Sequence, residues 1–331
     1  MKTFLYGILI TIICVSILLL THTYVFISTP TTPDEPVMIE IKPGTSAWEI
    51  SRKLKNMGIV SDPVMFMAAA LVTKKATHLQ AGTYVFEGNH YPVDIIHILF
   101  NGRTLRYRVT IPEGSNIFAI GEIVASTGLI TKQDFLRGAQ DSKTTSFFGI
   151  DAPSMEGYLY PDTYFLSPHM TPLEIMAKMV YISNQVYTHE MQQRANTLGL
   201  SRTQVLTLAS IIEKEAVIGK EKPIISSVFY NRLKKNILLQ SDPTAIYGID
   251  NFHRRITPKD LRRDNAYNTY KHIGLPPGPI CSPDKYSIIA ALWPEDTKYL
   301  YFVSKGNGSH YFSKSLREHN RAIRRNRRRS K

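Results

Sequence analysis

Two glutamates stand close together at the end of an apolar stretch, Leu208–Glu215, with the sequence LASIIEKE. A capping box predicts the start of a helix here, because Ser201 can act as N-cap with Gln204 three residues later. Apolar residues then recur at helical spacing and predict one buried stripe, formed by Val205, Leu208, Ala209, Ile212 and Ala216. At ~100° per residue, Glu213 and Glu215 would lie on opposite flanks of that stripe.

A carboxyl group at the margin of an apolar stripe is partly desolvated, so its pKa should rise. Such a group can hold a proton near neutral pH and can serve as a general acid. Helix geometry alone does not choose between Glu213 and Glu215. The alternative interpretation is that both are ordinary boundary glutamates of a surface helix.

The N-terminal stretch Phe4–Ile27 contains no Asp, Glu, Lys or Arg. At ~1.5 Å rise per residue it can cross a ~30 Å hydrocarbon core, and it is longer than the ~7–15 apolar residues of a secretory signal peptide, the competing interpretation. We therefore expect a short cytoplasmic N-terminus (residues 1–3), a transmembrane helix (4–27) and an extended tether (28–36).

The charges around this span predict its orientation. Lys2 and the amino terminus precede the span, whereas Asp34, Glu35 and Glu40 follow it. Positive charge tends to stay in the cytoplasm, so we expect a single-pass protein of the cytoplasmic membrane whose remaining chain is exported. Cys14 lies within the span and Cys281 stands alone beyond it, so no disulfide framework is expected.

The composition predicts a globular protein with more than one domain, since 43% of the 331 residues are hydrophobic. About half of the net charge of +13 comes from the C-terminal tail. Its basic residues are Arg317, Arg321, Arg324, Arg325, Arg327, Arg328, Arg329 and Lys331. We do not expect nucleic acid as a partner, because no zinc spacing, RNP run or phosphate loop accompanies the tail. Anionic lipid or an acidic wall polymer fits better, and a frayed, solvated terminus is the alternative.

Residues 37–102 are expected to form a small module. Strand Val37–Ile41, a Pro-Gly-Thr-Ser turn and a helix ending in LKNMGIV are followed by helix Met65–Val72, strand Leu79–Phe86 and helix Pro92–Phe100. This order resembles a LysM-like glycan-binding module, although a simple LysM unit is shorter, and a plain spacer domain is the alternative. The strand–turn–helix stretch IKPGTSAWEISRKLKNMGIV of the module is weakly similar to IPEGSNIFAIGEIVASTGLI, which follows Arg106. The similarity suggests a weak internal repeat with a common topology.

Residues 103–331 combine tyrosines, amides and acids in several short motifs. Flat aromatic faces can stack on pyranose rings while amides and acids bind the hydroxyls. The motifs are, in order, EGYLYPDTYFL, LASIIEKEA, VFYNRL, LQSDPTAIYGI, AYNTY with GLPPGPI, and YLYFVSKGNGSHYFSKSLREHN.

These six ordered motifs resemble those of the YceG-like (MltG) family of endolytic murein transglycosylases, and the resemblance covers essentially the whole chain. Two departures are small: Ala216 and Ser241 stand where the family often has threonine. We expect an α+β fold, in which the membrane helix and LysM-like module precede a mixed α+β catalytic domain at 103–331. The resemblance implies cleavage of the β-1,4 bond between N-acetylmuramic acid and N-acetylglucosamine in nascent strands, which leaves 1,6-anhydro ends and stops elongation.

The resemblance assigns the general acid to Glu213. Its motifs supply candidate substrate-binding residues, which are Glu156, Tyr160, Gln240, Asp242, Tyr247, Tyr267, Asn268 and Tyr270. No metal or cofactor is expected, because the attacking hydroxyl belongs to the sugar itself. The expected partners are peptidoglycan strands, the membrane and cell-wall synthases. The rival function is a non-catalytic wall-binding anchor, which the EKE triplet disfavours because a binder needs no buried proton donor.

Overall fold

The computed structural model describes residues 2–33, 35–249 and 256–329, and the chain divides into two compact units, Met1–Tyr107 and Arg108–Lys331. The division lies a few residues beyond the boundary that the sequence predicts at 102 and 103. The fold is α+β: within the described ranges, helices predominate and the strands form three separate two-stranded sheets. Asp34 and residues 250–255 lie outside the described residues.

The first unit follows the predicted element order closely. Its elements are α1 (Lys2–Ser28), β1 (Val37–Ile41), α2 (Ala47–Asn56), α3 (Pro63–Val72), β2 (Gly82–Phe86) and α4 (Pro92–Phe100). β1 and β2 pair antiparallel with Ile39 opposite Tyr84. β2 begins later than the predicted Leu79, because the Gln80 amide donates to Leu99 O of α4 (3.0 Å) instead of joining the ladder. The LysM-like character of this module stays a prediction.

Helix α1 is long and apolar enough to cross a membrane over Tyr6–Ser28. The expected tether after it is not free of structure. Thr31 exchanges two backbone hydrogen bonds with His90 (both 3.0 Å), and its hydroxyl donates to Ile59 O at 2.6 Å. These hydrogen bonds join the segment to the module, so the expected tether is not simply an extended chain in solvent.

The second unit carries the remaining elements. They are β3 (Tyr107–Thr110), α5 (Ile117–Ala125), α6 (Lys132–Ala139), α7 (Ser142–Phe147), β4 (Thr163–Leu166), α8 (Pro172–Val186), α9 (His189–Thr197), α10 (Arg202–Glu215), α11 (Lys222–Lys234), α12 (Asp242–Ile246), α13 (Pro258–Leu261), α14 (Lys285–Leu292), β5 (Tyr301–Ser304), β6 (His310–Ser313) and α15 (Leu316–Arg329). β3 pairs with β4, and β5 pairs antiparallel with β6.

Helix α10, which carries both glutamates, is more deeply buried than its sequence predicts. The capping box is present: the Ser201 hydroxyl accepts from the Gln204 amide (3.2 Å), and the Gln204 side chain accepts from the Ser201 amide (2.8 Å). The prediction of a single buried stripe on this helix was wrong, because every residue from Val205 to Ile212 is buried. α9, α11, α12 and α14 all pack against α10, so its polar Thr207 and Ser210 are enclosed as well.

Two local features of the chain follow from turn chemistry. The suggested repeat appears as topology: β1 leads through Gly44 (φ 84°) to a helix capped by Ser46, and β3 leads through Gly114 (φ 72°) to a helix capped by Asn116. The stretch after Ser241, which the Asp-Pro pair Asp242-Pro243 predicts as a loop, is the short helix α12. Its Pro243 lies in the first turn, where a missing N–H costs nothing.

Candidate active site

Glu213 lies in a closed, charge-compensated cluster. Its Oε2 atom accepts hydrogen bonds from the Ser287 hydroxyl (2.6 Å) and the Asp284 amide (3.2 Å), and the Lys222 ammonium lies 3.0 Å away. Burial raises the pKa of the Glu213 carboxyl and the charge of Asp284 acts in the same direction, whereas the Ser287 hydroxyl and the Lys222 ammonium favour its charged form. The Glu213 side chain is 10% exposed and that of Lys222 is 7% exposed. The carboxyl group is therefore enclosed beside a buried cation.

Lys222 joins three elements of this Glu213 cluster. Its ammonium also lies 2.8 Å from Asp284 Oδ2, so one cation bridges carboxylates from α10 and from the N-cap of α14. Oxygens of Glu113, Glu213 and Asp284 lie within 4.8 Å of one another, a spacing that a metal ion could bridge. The buried ammonium already supplies the positive charge that two of these carboxylates require.

Tyr160 is the predicted substrate-binding residue nearest to this cluster. Its hydroxyl oxygen accepts a hydrogen bond from the Lys285 amide, and Asp284 lies close enough to act on it electrostatically. Burial, followed by the charge of Asp284, raises the pKa of the Tyr160 hydroxyl. Tyr160 thus lies beside the Glu213 cluster, apart from the other predicted residues.

Glu215 lies two residues further along α10, ~200° around the helix, and has different surroundings. The Ser241 hydroxyl donates to Glu215 Oε1 at 2.6 Å, and the Asp242 amide also donates to this carboxyl. Burial raises the pKa of Glu215 to about 7, and the charge of Asp242 contributes in the same direction. Arg232 favours the charged form, but less strongly than burial opposes it. The carboxyl can therefore hold a proton at neutral pH.

Glu215 opens into a pocket of about 340 Å³, which we call the Glu215 pocket. Three of the predicted substrate-binding residues line it, namely Gln240, Asp242 and Tyr270. The Tyr270 hydroxyl donates to Asp242 Oδ1 at 2.5 Å. The opposite side comes from the C-terminal strands and helix, with Tyr301, His310 and His319. The pocket thus combines an acid, an amide and flat rings, as a sugar site requires.

Arg232 positions the loop that carries Gln240. Its guanidinium donates to Leu239 O (2.8 Å) and Leu300 O (2.6 Å) and lies over the Tyr301 ring. Gln240 itself has φ 51°, in the left-handed region that a non-glycine residue seldom adopts. The Gln240 amide donates to Thr269 O at 3.1 Å, which helps to hold this conformation. The strained residue therefore sits at the rim of the Glu215 pocket, fixed from two sides.

Glu156 and Tyr247 form a buried, hydrogen-bonded pair at another place in the second unit. Glu156 is only 1% exposed, and its Oε2 atom accepts from the Tyr247 hydroxyl (2.8 Å) and the Ile117 amide (3.1 Å). Burial raises the pKa of Glu156 to about 7. Tyr247 and Tyr267 lie 4.5 Å apart between ring centres and line another pocket of about 510 Å³. The predicted residues are thus divided among three places.

Asn268 is placed to hold a loop. It is buried, its amide nitrogen donates to Leu261 O (3.1 Å) and Arg263 O (2.7 Å), and its oxygen accepts from the Tyr270 amide (3.0 Å). All of these partners are backbone atoms at the end of α13 and in the segment that follows it. Asn268 therefore orients Tyr270 toward the Glu215 pocket, and its own amide is fully engaged.

Several residues of these clusters escape sequence reasoning. Lys222, Asp284 and Ser287 approach Glu213 from positions up to 74 residues away, and no local pattern marks them. The sequence does contain a signal for Arg232, because it is the one arginine in the largely apolar motif VFYNRL. A buried guanidinium requires hydrogen-bond acceptors, so a structural role could have been predicted for it. The SDPT segment folds over α10 at Glu215, where the Ser241 hydroxyl donates to its carboxyl.

Comparison with known proteins places the chain in a family. The model of the YceG-like family matches residues 39–325. An endolytic murein transglycosylase of Bacillus subtilis is 34% identical over 303 residues, which cover 86% of this chain and 83% of that protein. An endolytic murein transglycosylase of Streptococcus pneumoniae serotype 2 is 27% identical over 319 residues, and the match covers 87% of this chain and 58% of the longer relative.

A solved structure agrees with these matches. The crystal structure of a yceG-like protein from Listeria monocytogenes superposes with a TM-score of 0.60 at 33% identity, and the match covers 87% of this chain and 99% of that chain. Family model, curated relative and solved fold all extend over most of the sequence, including α10 and its glutamates. The chain belongs to the YceG-like family.

Proposed function

We propose that this protein is an endolytic murein transglycosylase, a lyase that cuts peptidoglycan strands without water. The relatives that share this name and most of the chain support the activity. The reaction breaks the β-1,4 bond after N-acetylmuramic acid, and the C6 hydroxyl of that sugar attacks its own C1 to close a 1,6-anhydro ring. Because the nucleophile belongs to the substrate, one carboxyl group that first donates and then accepts a proton is sufficient.

The geometry favours Glu215 as this carboxyl group, whereas the motif resemblance had assigned Glu213. Both side chains are desolvated, so the direction of the pKa shift does not separate them. Their neighbours do. An ammonium, a hydroxyl and an amide all point at one oxygen of Glu213, which stabilises the ion. Glu215 instead faces a pocket, it accepts hydrogen bonds from a hydroxyl and an amide, and the charge of Arg232 acts on it more weakly than burial does. Access to a substrate is the observation that carries the assignment.

The residues of the Glu215 pocket have complementary roles in this proposal. Glu215 protonates the glycosidic oxygen and, as a carboxylate, accepts the proton of the C6 hydroxyl. Gln240 and the hydrogen-bonded pair of Asp242 and Tyr270 bind sugar hydroxyls, and Tyr301 offers a ring face. The charge of Asp242 beside Glu215 keeps the acid protonated before the reaction. Cell-wall synthases as partners stay a prediction.

The location of the enzyme completes the proposal. Helix α1 anchors the chain as a single membrane pass, with the N-terminus in the cytoplasm and both units outside, as the charges around the span favour. Reporter fusions test this orientation: an alkaline phosphatase joined after the second unit should be active, and one joined at the N-terminus inactive. The opposite pattern would reverse the proposed topology.

The products of digestion test the reaction class. The full-length protein, purified in detergent, is incubated with isolated sacculi, and the released muropeptides are analysed by mass spectrometry. Transglycosylation gives ends that are 18 Da lighter than hydrolytic ends, because one water is not added. Anhydro ends are expected. Reducing ends would indicate a hydrolase, and intact strands with bound protein would indicate a wall-binding anchor.

A further inference from the structure

Helix α3 of the first unit exposes an apolar face. Its ten residues, PVMFMAAALV, include no charged or hydrogen-bonding side chain. Phe66 and Ala70 are buried in the core of the unit. On the other side, Val64, Leu71 and Val72 remain 59%, 57% and 82% exposed. Single exposed apolar residues are ordinary, but a soluble surface helix normally turns polar residues to the water.

The exposed residues fall on one side of the helix. Val64, Ala68, Leu71 and Val72 are spaced by four, seven and eight residues, and all four are exposed. This spacing places them along a single stripe of the helix surface. We call this stripe the α3 face. It is continuous over more than two turns and contains only carbon side chains.

The start of α3 lies next to the membrane helix within the same unit. Phe26, near the end of α1, is buried in the same hydrophobic cluster as Phe66. His22 Nε2 of α1 lies 3.7 Å from Oδ2 of Asp62, the residue that caps the start of α3. A hydrocarbon core of ~30 Å takes ~20 helical residues, so a span that begins at Tyr6 leaves the core near Val25, within one helical turn of His22. α3 therefore begins within about one helical turn of the bilayer boundary.

Neighbouring side chains are typical of that boundary. Tyr24, two residues after His22, is exposed, and tyrosines are enriched where the span meets the headgroups. Lys74, directly beyond α3, is also exposed and could approach anionic headgroups. An apolar stripe near the end of the span, with a cation just beyond its last residue, is compatible with a helix that lies in the interface.

We propose that the α3 face rests in the lipid bilayer, at the boundary between headgroups and acyl chains, as a second membrane contact beside α1. The inference rests on α1 spanning the membrane, and it is independent of the catalytic assignment. Contact at α1 and at α3 fixes the first unit against the bilayer surface, which a single span with a flexible tether would not do.

Site-directed spin labelling of the full-length protein tests this contact. The protein is reconstituted into vesicles of phosphatidylcholine and phosphatidylglycerol. Val72→Cys and Val64→Cys are labelled in a Cys14→Ser background, since Cys281 is buried and will not react. Lys55→Cys, on the exposed side of α2, is the aqueous control, and native Cys14 in the wild type is the bilayer control. Collisions with oxygen report lipid, and collisions with a water-soluble nickel chelate report solvent.

We expect both α3 labels to fall between the two controls, with oxygen accessibility higher and nickel accessibility lower than those of the Lys55→Cys label, as at the boundary of the bilayer. An aqueous profile at both α3 positions, with Cys14 in lipid, would overturn the contact while leaving the anchor intact. Shielding from both reagents would overturn it in favour of a protein partner. An aqueous profile at Cys14 itself would remove the membrane span on which the inference rests. None of these outcomes depends on activity, so each is distinct from a failure of the proposed reaction.

Discussion

Glu213 and Glu215 stand two residues apart on one helix, yet their carboxyl groups meet opposite kinds of surroundings. Glu213 faces the Lys222 ammonium and two further donors in a closed cluster. Glu215 faces the Ser241 hydroxyl and the Asp242 amide at the edge of an open pocket. Burial raises the pKa of both groups. The comparison teaches that a raised pKa identifies a buried carboxyl, and that access and the lack of a bound cation identify a usable acid.

The largest expected effect is on catalysis at Glu215. Glu215→Gln keeps the size of the side chain but removes its ability to donate and accept a proton. We expect the rate of anhydro-muropeptide release to fall ~10²–10⁴-fold, the usual contribution of general acid–base catalysis. Glycan binding, measured by co-sedimentation with sacculi, should persist because the other residues of the Glu215 pocket are unchanged. A variant that keeps most of its activity would exclude Glu215 as the acid.

The closed cluster should contribute to stability. Lys222→Met removes the cation between Glu213 and Asp284 and leaves two carboxylates close together in a buried site. We expect the free energy of unfolding to fall by ~3–5 kcal/mol, measured by urea denaturation at pH 7. Lys220→Met, at an exposed neighbouring position, is the matched control and should change little. Equal stability of the two variants would mean that the bridging ammonium is dispensable.

The charge of Asp242 should set the alkaline limit of activity. Asp242 raises the pKa of Glu215, so Asp242→Asn should lower that pKa from its value of about 7. Since the reaction begins from protonated Glu215, the alkaline limb of kcat/KM should move to lower pH, provided that the variant still binds glycan. If the limb stays in place while KM rises, Asp242 would act only on a sugar hydroxyl.

A smaller effect should appear in the pH dependence of stability. The folded-state pKa of Glu215, about 7, lies above the ~4.3 of an unfolded glutamate, so its favourable contribution is complete below that lower value and is lost as pH rises toward 7. Glu215→Gln lacks this titration. The melting temperature of the variant minus that of the wild type should therefore increase between ~pH 4 and pH 7 and then stay constant. Parallel curves would contradict a raised pKa.

Local features of the chain were predictable, and the site required tertiary information. The cap formed by Ser201 and Gln204 and the element order of the first unit follow from short-range sequence patterns. The cap depends on hydrogen bonds between residues only three positions apart, so the local sequence is enough to predict it. The single stripe on α10 failed because four other helices surround it. The choice of acid could not be read from spacing, since Ser287 and Ser241 reach the two glutamates from 74 and 26 residues away.

The most direct measurement compares Glu213→Gln and Glu215→Gln side by side. Both variants are brought to the same concentration of folded protein, judged by circular dichroism and by their unfolding curves, and the initial rates of anhydro-muropeptide release are measured on the same sacculi. We expect Glu215→Gln to lose nearly all activity, and Glu213→Gln to be less stable while its folded fraction still cleaves. The reverse order of activities, with Glu215→Gln active and folded Glu213→Gln inert, would return the acid to Glu213 and contradict the role proposed for the Glu215 pocket.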